Sequence, residues 1–207
     1  MNIFMNSLKP CGMNSLENTL FPIFLKLDMI KTLIVGGGFV GLEKLEALLK
    51  NDAEANVRLI APEIRDEIWE LADEHAGVSL IQKRFDPTDL QNIDLAILAT
   101  ADRATNHAIR KQAKKKGIIT NVADTPDICD FYLGSTVKKG NLKIGISTNG
   151  QSPTFAKRFR EVLENILPED TNELLGNLKK VRDQLKGDFS HKVSELNRIT
   201  KTLVDKT

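Results

Sequence analysis

The sequence predicts an α/β protein: a parallel sheet covered by helices on both faces, followed by a small β-hairpin segment and a C-terminal helical module. Three observations predict it. Short β-branched runs alternate with amphipathic stretches from residue 31 to residue 122. A Gly-x-Gly-x-x-Gly turn, Gly36-Gly37-Gly38-Phe39-Val40-Gly41, joins the first run to the first amphipathic stretch. Beyond Asp124-Thr125-Pro126 the alternation stops, and from Pro153 onward helical periodicity takes over.

In chain order, Lys31 to Val35 reads as the first strand, and the glycine turn leads into a helix over 42–50 whose Leu42, Leu45, Leu48 and Leu49 share one face. A second strand is expected at 57–60, then a helix over 64–75 with Ile64, Ile68 and Leu71 on one side. Further strands are expected at 79–82, 95–99 and 118–122, with a helix from about 104 to 116 between the last two. Strands and helices alternating through short loops specify a parallel sheet. Next come two extended stretches, 131–138 and 142–147, which flank Lys139-Gly140-Asn141 as an antiparallel hairpin. Amphipathic helices are expected at about 153–166, 171–186 and 189–204, interrupted at Pro168 and Gly187. The chain thus divides into an extension (1–19), a sheet domain (20–125), the hairpin segment (126–151) and the helical module (152–207). The first stretch is polar and irregular, and Met13 reads as an alternative start to Met1.

The 207 residues suffice for one domain and a smaller appendage, and 41% hydrophobic with 28% charged residues is ordinary for a globular chain. Lys plus Arg, at 29, nearly balance Asp plus Glu, at 28, so any basic site must be local and a nucleic-acid partner is not expected. Two cysteines, Cys11 and Cys129, stand far apart without a zinc-type spacing, and no metal site is expected. No apolar run reaches the roughly 18–20 residues that span a bilayer. A cytoplasmic protein is the expectation, with no membrane association.

The glycine turn has the context that gives it meaning: it follows a strand and opens a helix, as in a Rossmann-type domain. Gly36 permits the tight turn, Gly38 lets backbone approach a pyrophosphate, and Gly41 lets helix and strand pack closely; Phe39 and Val40 complete the cradle. The cofactor this implies is a nicotinamide dinucleotide. Its adenosine ribose belongs at the end of the second strand, where Glu63 and Ile64 stand. No arginine lies in that immediate turn to mark a 2′-phosphate, Arg65 being the nearest, so NAD is expected rather than NADP. Thr100, Ala101 and Asp102, after the fourth strand, lie on the nicotinamide side; Asp102 reads equally as the cap of the following helix.

Several further stretches together resemble one family. They are Leu20-Phe21-Pro22-Ile23-Phe24-Leu25, the strand and glycine turn from Leu33 to Val40, Arg84-Phe85-Asp86, Leu98-Ala99-Thr100-Ala101-Asp102, Asn121-Val122-Ala123-Asp124 with Pro126 and Phe131, and Ser147-Thr148-Asn149-Gly150-Gln151-Ser152-Pro153. In this order, over about residues 20 to 170, they look like the precorrin-2 dehydrogenase/sirohydrochlorin ferrochelatase family, which includes the N-terminal part of siroheme synthase. The resemblance implies NAD-dependent oxidation of precorrin-2 to sirohydrochlorin, in some members with ferrous iron insertion to give siroheme. It implies a homodimer joined through roughly 125–150, with the tail helices enclosing the tetrapyrrole. It also implies that Asp124 is the catalytic carboxylate and that Ser152 lies near the substrate. Two departures touch substrate packing: Tyr132-Leu133-Gly134 stands where siroheme synthases often show a proline, and Ser147-Thr148-Asn149-Gly150 is looser than their Ser-Ser-Gly-Gly. Methylation is expected to fall to another protein.

The residues themselves accommodate such chemistry. Oxidation to a more conjugated tetrapyrrole removes a hydride and a proton, so a hydride acceptor and a base must face one substrate. Asp124, just past the fifth strand at the edge that carries the glycine turn, can be that base; followed by Thr125-Pro126, it also reads as a turn former. The substrate is a polycarboxylate, for which Lys157 and Arg158 are the preferred contacts, and Ser152 before Pro153 reads as a helix cap whose N-terminus could hold a carboxylate. Cys129 reads as a small buried residue, and none of His75, His107 and His191 is assigned a ligand role. The rival reading is an NAD-sensing regulatory domain of a potassium transport system, which shares the glycine turn but leaves the hairpin, Ser152-Pro153 and the tail without a purpose.

Overall fold

The computed structural model describes residues 18–201. The expectations for Met1 and Met13 therefore lie outside the described residues. Two compact units emerge: Ile23–Leu133, and a second that joins the described residues up to Pro22 to those from Gly134 onward.

The first unit is a five-stranded parallel sheet in the order β3-β2-β1-β4-β5. Its strands are β1 (Thr32–Gly37), β2 (Val57–Ile64), β3 (Val78–Gln82), β4 (Leu95–Leu98) and β5 (Ile119–Val122). Helices α1 (Phe39–Asn51), α2 (Asp66–Glu74) and α3 (Arg103–Lys115) supply crossovers. Every residue of β1 and β4 is buried, because a central parallel strand is covered on both faces. Two apolar layers do the covering. One packs Ile34, Leu59 and Ile97 beneath Leu45, Leu48 and Ile68; the other packs Leu33, Ile60 and Leu98 against Ile109, Ala113 and Val122. The leucine face read from α1 is that contact: Leu45, Leu48 and Leu49 are buried.

The sheet departs from the expected element bounds in one place that matters. Ile64, expected to open a helix, ends β2, which runs four residues beyond Ile60 through an irregularity in its pairing with β1. Pro62 sits at that irregularity, where a missing N–H costs no ladder bond. Short 3₁₀ turns at Pro87–Leu90 and Pro126–Ile128 were also beyond sequence periodicity. Asp86 and Asp89 cap the first reciprocally, each side chain accepting from the other's end of the turn.

The second unit pairs β6 (Ser135–Lys139) and β7 (Leu142–Ile146) antiparallel, with α4 (Pro153–Ile166) packed on β6. β6 begins four residues later than expected, since Gly134 precedes it and residues up to Leu133 belong to the sheet unit. Gly140 turns the hairpin at φ +55°, a conformation that glycine adopts freely. Helices α5 (Thr171–Gln184) and α6 (Phe189–Thr200) follow. Asn172, at the start of α5, accepts from the backbone N–H and the side-chain amide of Asn141 at 3.0 Å each, tying the helix to the hairpin turn.

Candidate functional site

The strand order reverses between β1 and β4, so a crevice opens at their carboxyl ends, the place where open α/β sheets bind ligands. The glycine turn, the Thr100 loop and Asp124 all lie along this edge. β5 is two strands from β1, about 10 Å at ordinary strand spacing.

Each glycine of the turn meets a different demand. Gly36 has φ +125°, and a Cβ there would lie 2.4 Å from the Ala99 carbonyl oxygen. A Cβ on Gly41 would lie 2.1 Å from the Gly36 carbonyl oxygen, so α1 can press on β1 only without one. At Gly38 a Cβ would meet nothing within 4 Å. Packing therefore does not require this glycine, and the open space there has room for a pyrophosphate. α1 agrees: Gly38 offers its N-terminus no side-chain cap, and the first turn holds no acid. Its leading N–H groups and positive dipole end are left for an anion. α3, α4 and α6 are capped by the side chains of Asp102, Ser152 and Asp188, whereas α2 and α5, like α1, have no such cap. Phe39 is 73% exposed at the lip of the cradle and Val40 half-buried behind it.

At the end of β2, Glu63 is exposed, and its carbonyl oxygen would meet a Cβ on Gly37 at 2.4 Å. The strand's prolongation carries Arg65 to the cradle: its N–H donates to the Gly37 carbonyl at 3.1 Å and its guanidinium lies 3.7 Å from the Phe39 ring centre. Sequence spacing gave Arg65 only as the arginine nearest that turn; its contacts with Gly37 and Phe39 depend on the length of β2, which Pro62 concealed.

After β4, the Asp102 carboxylate caps α3, accepting from the N–H groups of Ala104 and Thr105 at 3.0 and 3.1 Å and from the Thr105 hydroxyl. These donors, the Thr105 hydroxyl first, hold its carboxyl below the usual carboxylate range. Of the two readings of Asp102, the geometry supplies the cap. Thr100 is held by a residue that sequence reasoning missed, Asn106 of α3, 2% exposed. An asparagine on the same helical face as buried Ile109 and Ala113 was the available sign.

Asp124 stands two residues beyond β5, exposed, with a left-handed backbone at φ +54°. The loop behind it is anchored: Arg110 donates to the Ile128 carbonyl at 2.8 Å and the Asp130 carboxylate at 2.6 Å, and Asp130 accepts from Thr120 N–H at 2.9 Å. The Cys129 thiol bonds the backbone of Val122 and Thr125, and burial pushes its pKa up, which makes it an inert strut.

In the second unit Ser152 caps α4, accepting from Phe155 N–H at 3.1 Å, with Pro153 at the first helical position. Lys157 and Arg158 are exposed on that helix, and Arg158 pairs with Glu161 at 2.8 Å. Phe155, Phe159, Val162 and Ile166 form an exposed apolar stripe along the same helix.

Comparison with known proteins matches this geometry. A family model described as putative NAD(P)-binding covers residues 23–135, more than half of the chain, and one described as sirohaem biosynthesis protein central covers 139–166. The chain belongs to the family of the first model, and the second ties it to the sirohaem biosynthesis proteins. Siroheme synthase of Nitrosomonas eutropha is 36% identical over 170 residues, 82% of this chain and 35% of that protein. Siroheme synthase of Methylococcus capsulatus is 39% identical over 165 residues, 80% of this chain and 34% of that protein. The chain thus spans about a third of the length of the curated relatives it matches. A solved structure of SirC, a precorrin-2 dehydrogenase, superposes with a TM-score of 0.67 at 25% identity, covering 87% of this chain and 89% of that one. The description of the matched model names NAD(P), and the open ground at Gly38 and the uncapped start of α1 have the shape and charge to hold a dinucleotide. Among the described residues no helix is long and apolar enough to cross a membrane.

Proposed function

We propose that this protein oxidises precorrin-2 to sirohydrochlorin, with NAD as hydride acceptor, in the cytoplasm. The observation that carries the reading is the joining of a dinucleotide cradle at Gly36 to Gly41 with the segment, 139–166, that matches sirohaem biosynthesis proteins. That segment is β7 and α4 with the end of the hairpin turn, the part that a dinucleotide-sensing module would leave without a purpose.

NAD bound in the cradle would supply the acceptor for a hydride leaving one substrate carbon. Gly38 and the first N–H groups of α1 hold its pyrophosphate, and Glu63 with Ile64 borders its adenosine ribose. The Thr100 to Asp102 loop, braced by Asn106 and by the α3 cap, walls the nicotinamide end. Asp124 is assigned as the base that takes the proton from the position adjacent to the hydride-bearing carbon, so that the two departures leave a new double bond. Its exposure and the anchored loop behind it suit a group that must meet a substrate without moving. Ser152, with the N-terminus of α4, and the cations Lys157 and Arg158 are assigned to the substrate's carboxylates.

The same reading includes insertion of ferrous iron as substrate into sirohydrochlorin, where two pyrrole protons must leave and Asp124 would accept one. It also includes a homodimer joined through roughly 125–150, the segment that carries β6 and β7.

An anaerobic mixture of protein, precorrin-2 and NAD tests the reading. NADH and the absorption of sirohydrochlorin should rise together, and absence of NADH at every protein concentration would remove the dehydrogenase assignment. Supplying ferrous ion to sirohydrochlorin tests insertion separately, and sedimentation tests the dimer.

A further inference from the structure

Arg65 is a cation at the cradle that the chemistry above does not use. Its guanidinium is stacked on Phe39, the first residue of α1, which fixes it at the lip of the pyrophosphate ground. One terminal nitrogen donates to the Glu67 carboxylate at 2.5 Å, and Nε is buried without a partner. The side chain keeps 31% of its surface exposed, so a ligand can reach it. The end of the second strand is where a dinucleotide's adenosine ribose is read, and an arginine there receives the 2′-phosphate of NADP. A guanidinium fork matches phosphate geometry. Here one arm of the fork is already taken, and its hydrogen bond holds the Glu67 carboxyl below the ordinary carboxylate range.

We propose that Glu67 sets the nucleotide preference: by occupying the Arg65 guanidinium it excludes the 2′-phosphate of NADP, leaving Arg65 a latent phosphate receptor in a site selective for NAD. The proposal rests on the dinucleotide reading of the glycine turn. A 2′-phosphate that grips both terminal nitrogens of Arg65 must displace Glu67 and then lie beside the freed carboxylate, with Glu63 and Asp66 adding charge of the same sign nearby in sequence. The neutral 2′-hydroxyl of NAD meets neither penalty. Replacing the carboxylate of Glu67 by an amide keeps its shape and releases the cation.

The test is calorimetric titration of NAD and NADP into the full chain and its variants. Wild-type protein should bind NAD more tightly. Glu67→Gln should raise the NADP-to-NAD affinity ratio by about tenfold or more, and Glu67→Gln with Arg65→Met should abolish the gain. Glu70→Gln removes the same charge one turn along α2 and should move the ratio by less than about threefold. A ratio in Glu67→Gln within about threefold of wild type overturns the proposal, and so does a gain that survives Arg65→Met or is matched by Glu70→Gln. Wild-type protein that binds neither nucleotide overturns the dinucleotide reading itself, whereas NAD binding with no gain in Glu67→Gln overturns only the role of Glu67.

Discussion

Asn106 grips Thr100 at three points. Its amide oxygen accepts from the Thr100 N–H at 3.3 Å and hydroxyl at 2.7 Å, while its amide nitrogen donates to the Thr100 carbonyl at 3.0 Å. The loop after β4 is thereby held by a buried side chain from the start of α3. Asn106→Leu preserves volume but strands those partners, and should destabilise the fold by about 2–3 kcal/mol. NAD affinity should fall with it, since the proposed site puts the loop beside the nicotinamide. Denaturant unfolding checks the first effect and calorimetry the second; a midpoint equal to that of wild type would show that water replaces the amide without loss.

Two glycines of one turn should fail differently. Gly41→Ala drives a Cβ to 2.1 Å from a backbone oxygen and should cost about 3 kcal/mol or more. Gly38→Ala meets no protein atom, and its φ of −86° suits alanine. That variant should melt close to wild type yet lose about tenfold or more in NAD affinity. Equal loss of stability in both variants would mean that Gly38, too, is a packing residue.

The contrast shows what could be read in advance. Sheet, order of elements and leucine face follow from periodicity and the glycine spacing, because the central strands are buried on both sides and α1 on one. Asp102 could be named but not assigned, since a residue before a helix is a cap and a cofactor neighbour in the same letter. Arg65 and Asn106 were hidden for a different reason. Arg65 acts through Phe39, on another element across the β2 extension, and Asn106 through Thr100, back across the start of α3. Spacing rules carry no term for such closures.

The Asp102 cap predicts an acid-sensitive contribution to stability. Its carboxyl is held below the ordinary 3.8 by the Thr105 hydroxyl and then the two N–H donors, so folding favours the charged form. The contribution is complete above the unfolded value and drains away as pH falls through the folded one. The stability gap between wild type and Asp102→Ala should therefore be constant above about pH 5 and narrow below about pH 4. Thermal melts across that range check it, and Asp102→Asn, a neutral cap, should show the pH-independent remainder. A gap that widens in acid would contradict the cap's charge as its source.

Asp124 combines a backbone and a chemical role, and substitution can separate them. Its φ of +54° is tolerated by Asn and free for Gly but costs alanine about 1 kcal/mol. Asp124→Asn should keep stability within about 0.5 kcal/mol of wild type while lowering kcat by about a hundredfold or more. Asp124→Gly should be equally inactive and no less stable, and Asp124→Ala should be inactive and less stable. NAD affinity should hold in all three, because the residue is two strands from the cradle. Wild-type turnover in Asp124→Asn would leave the left-handed turn as the residue's whole purpose and move the base to another group at this edge of the sheet.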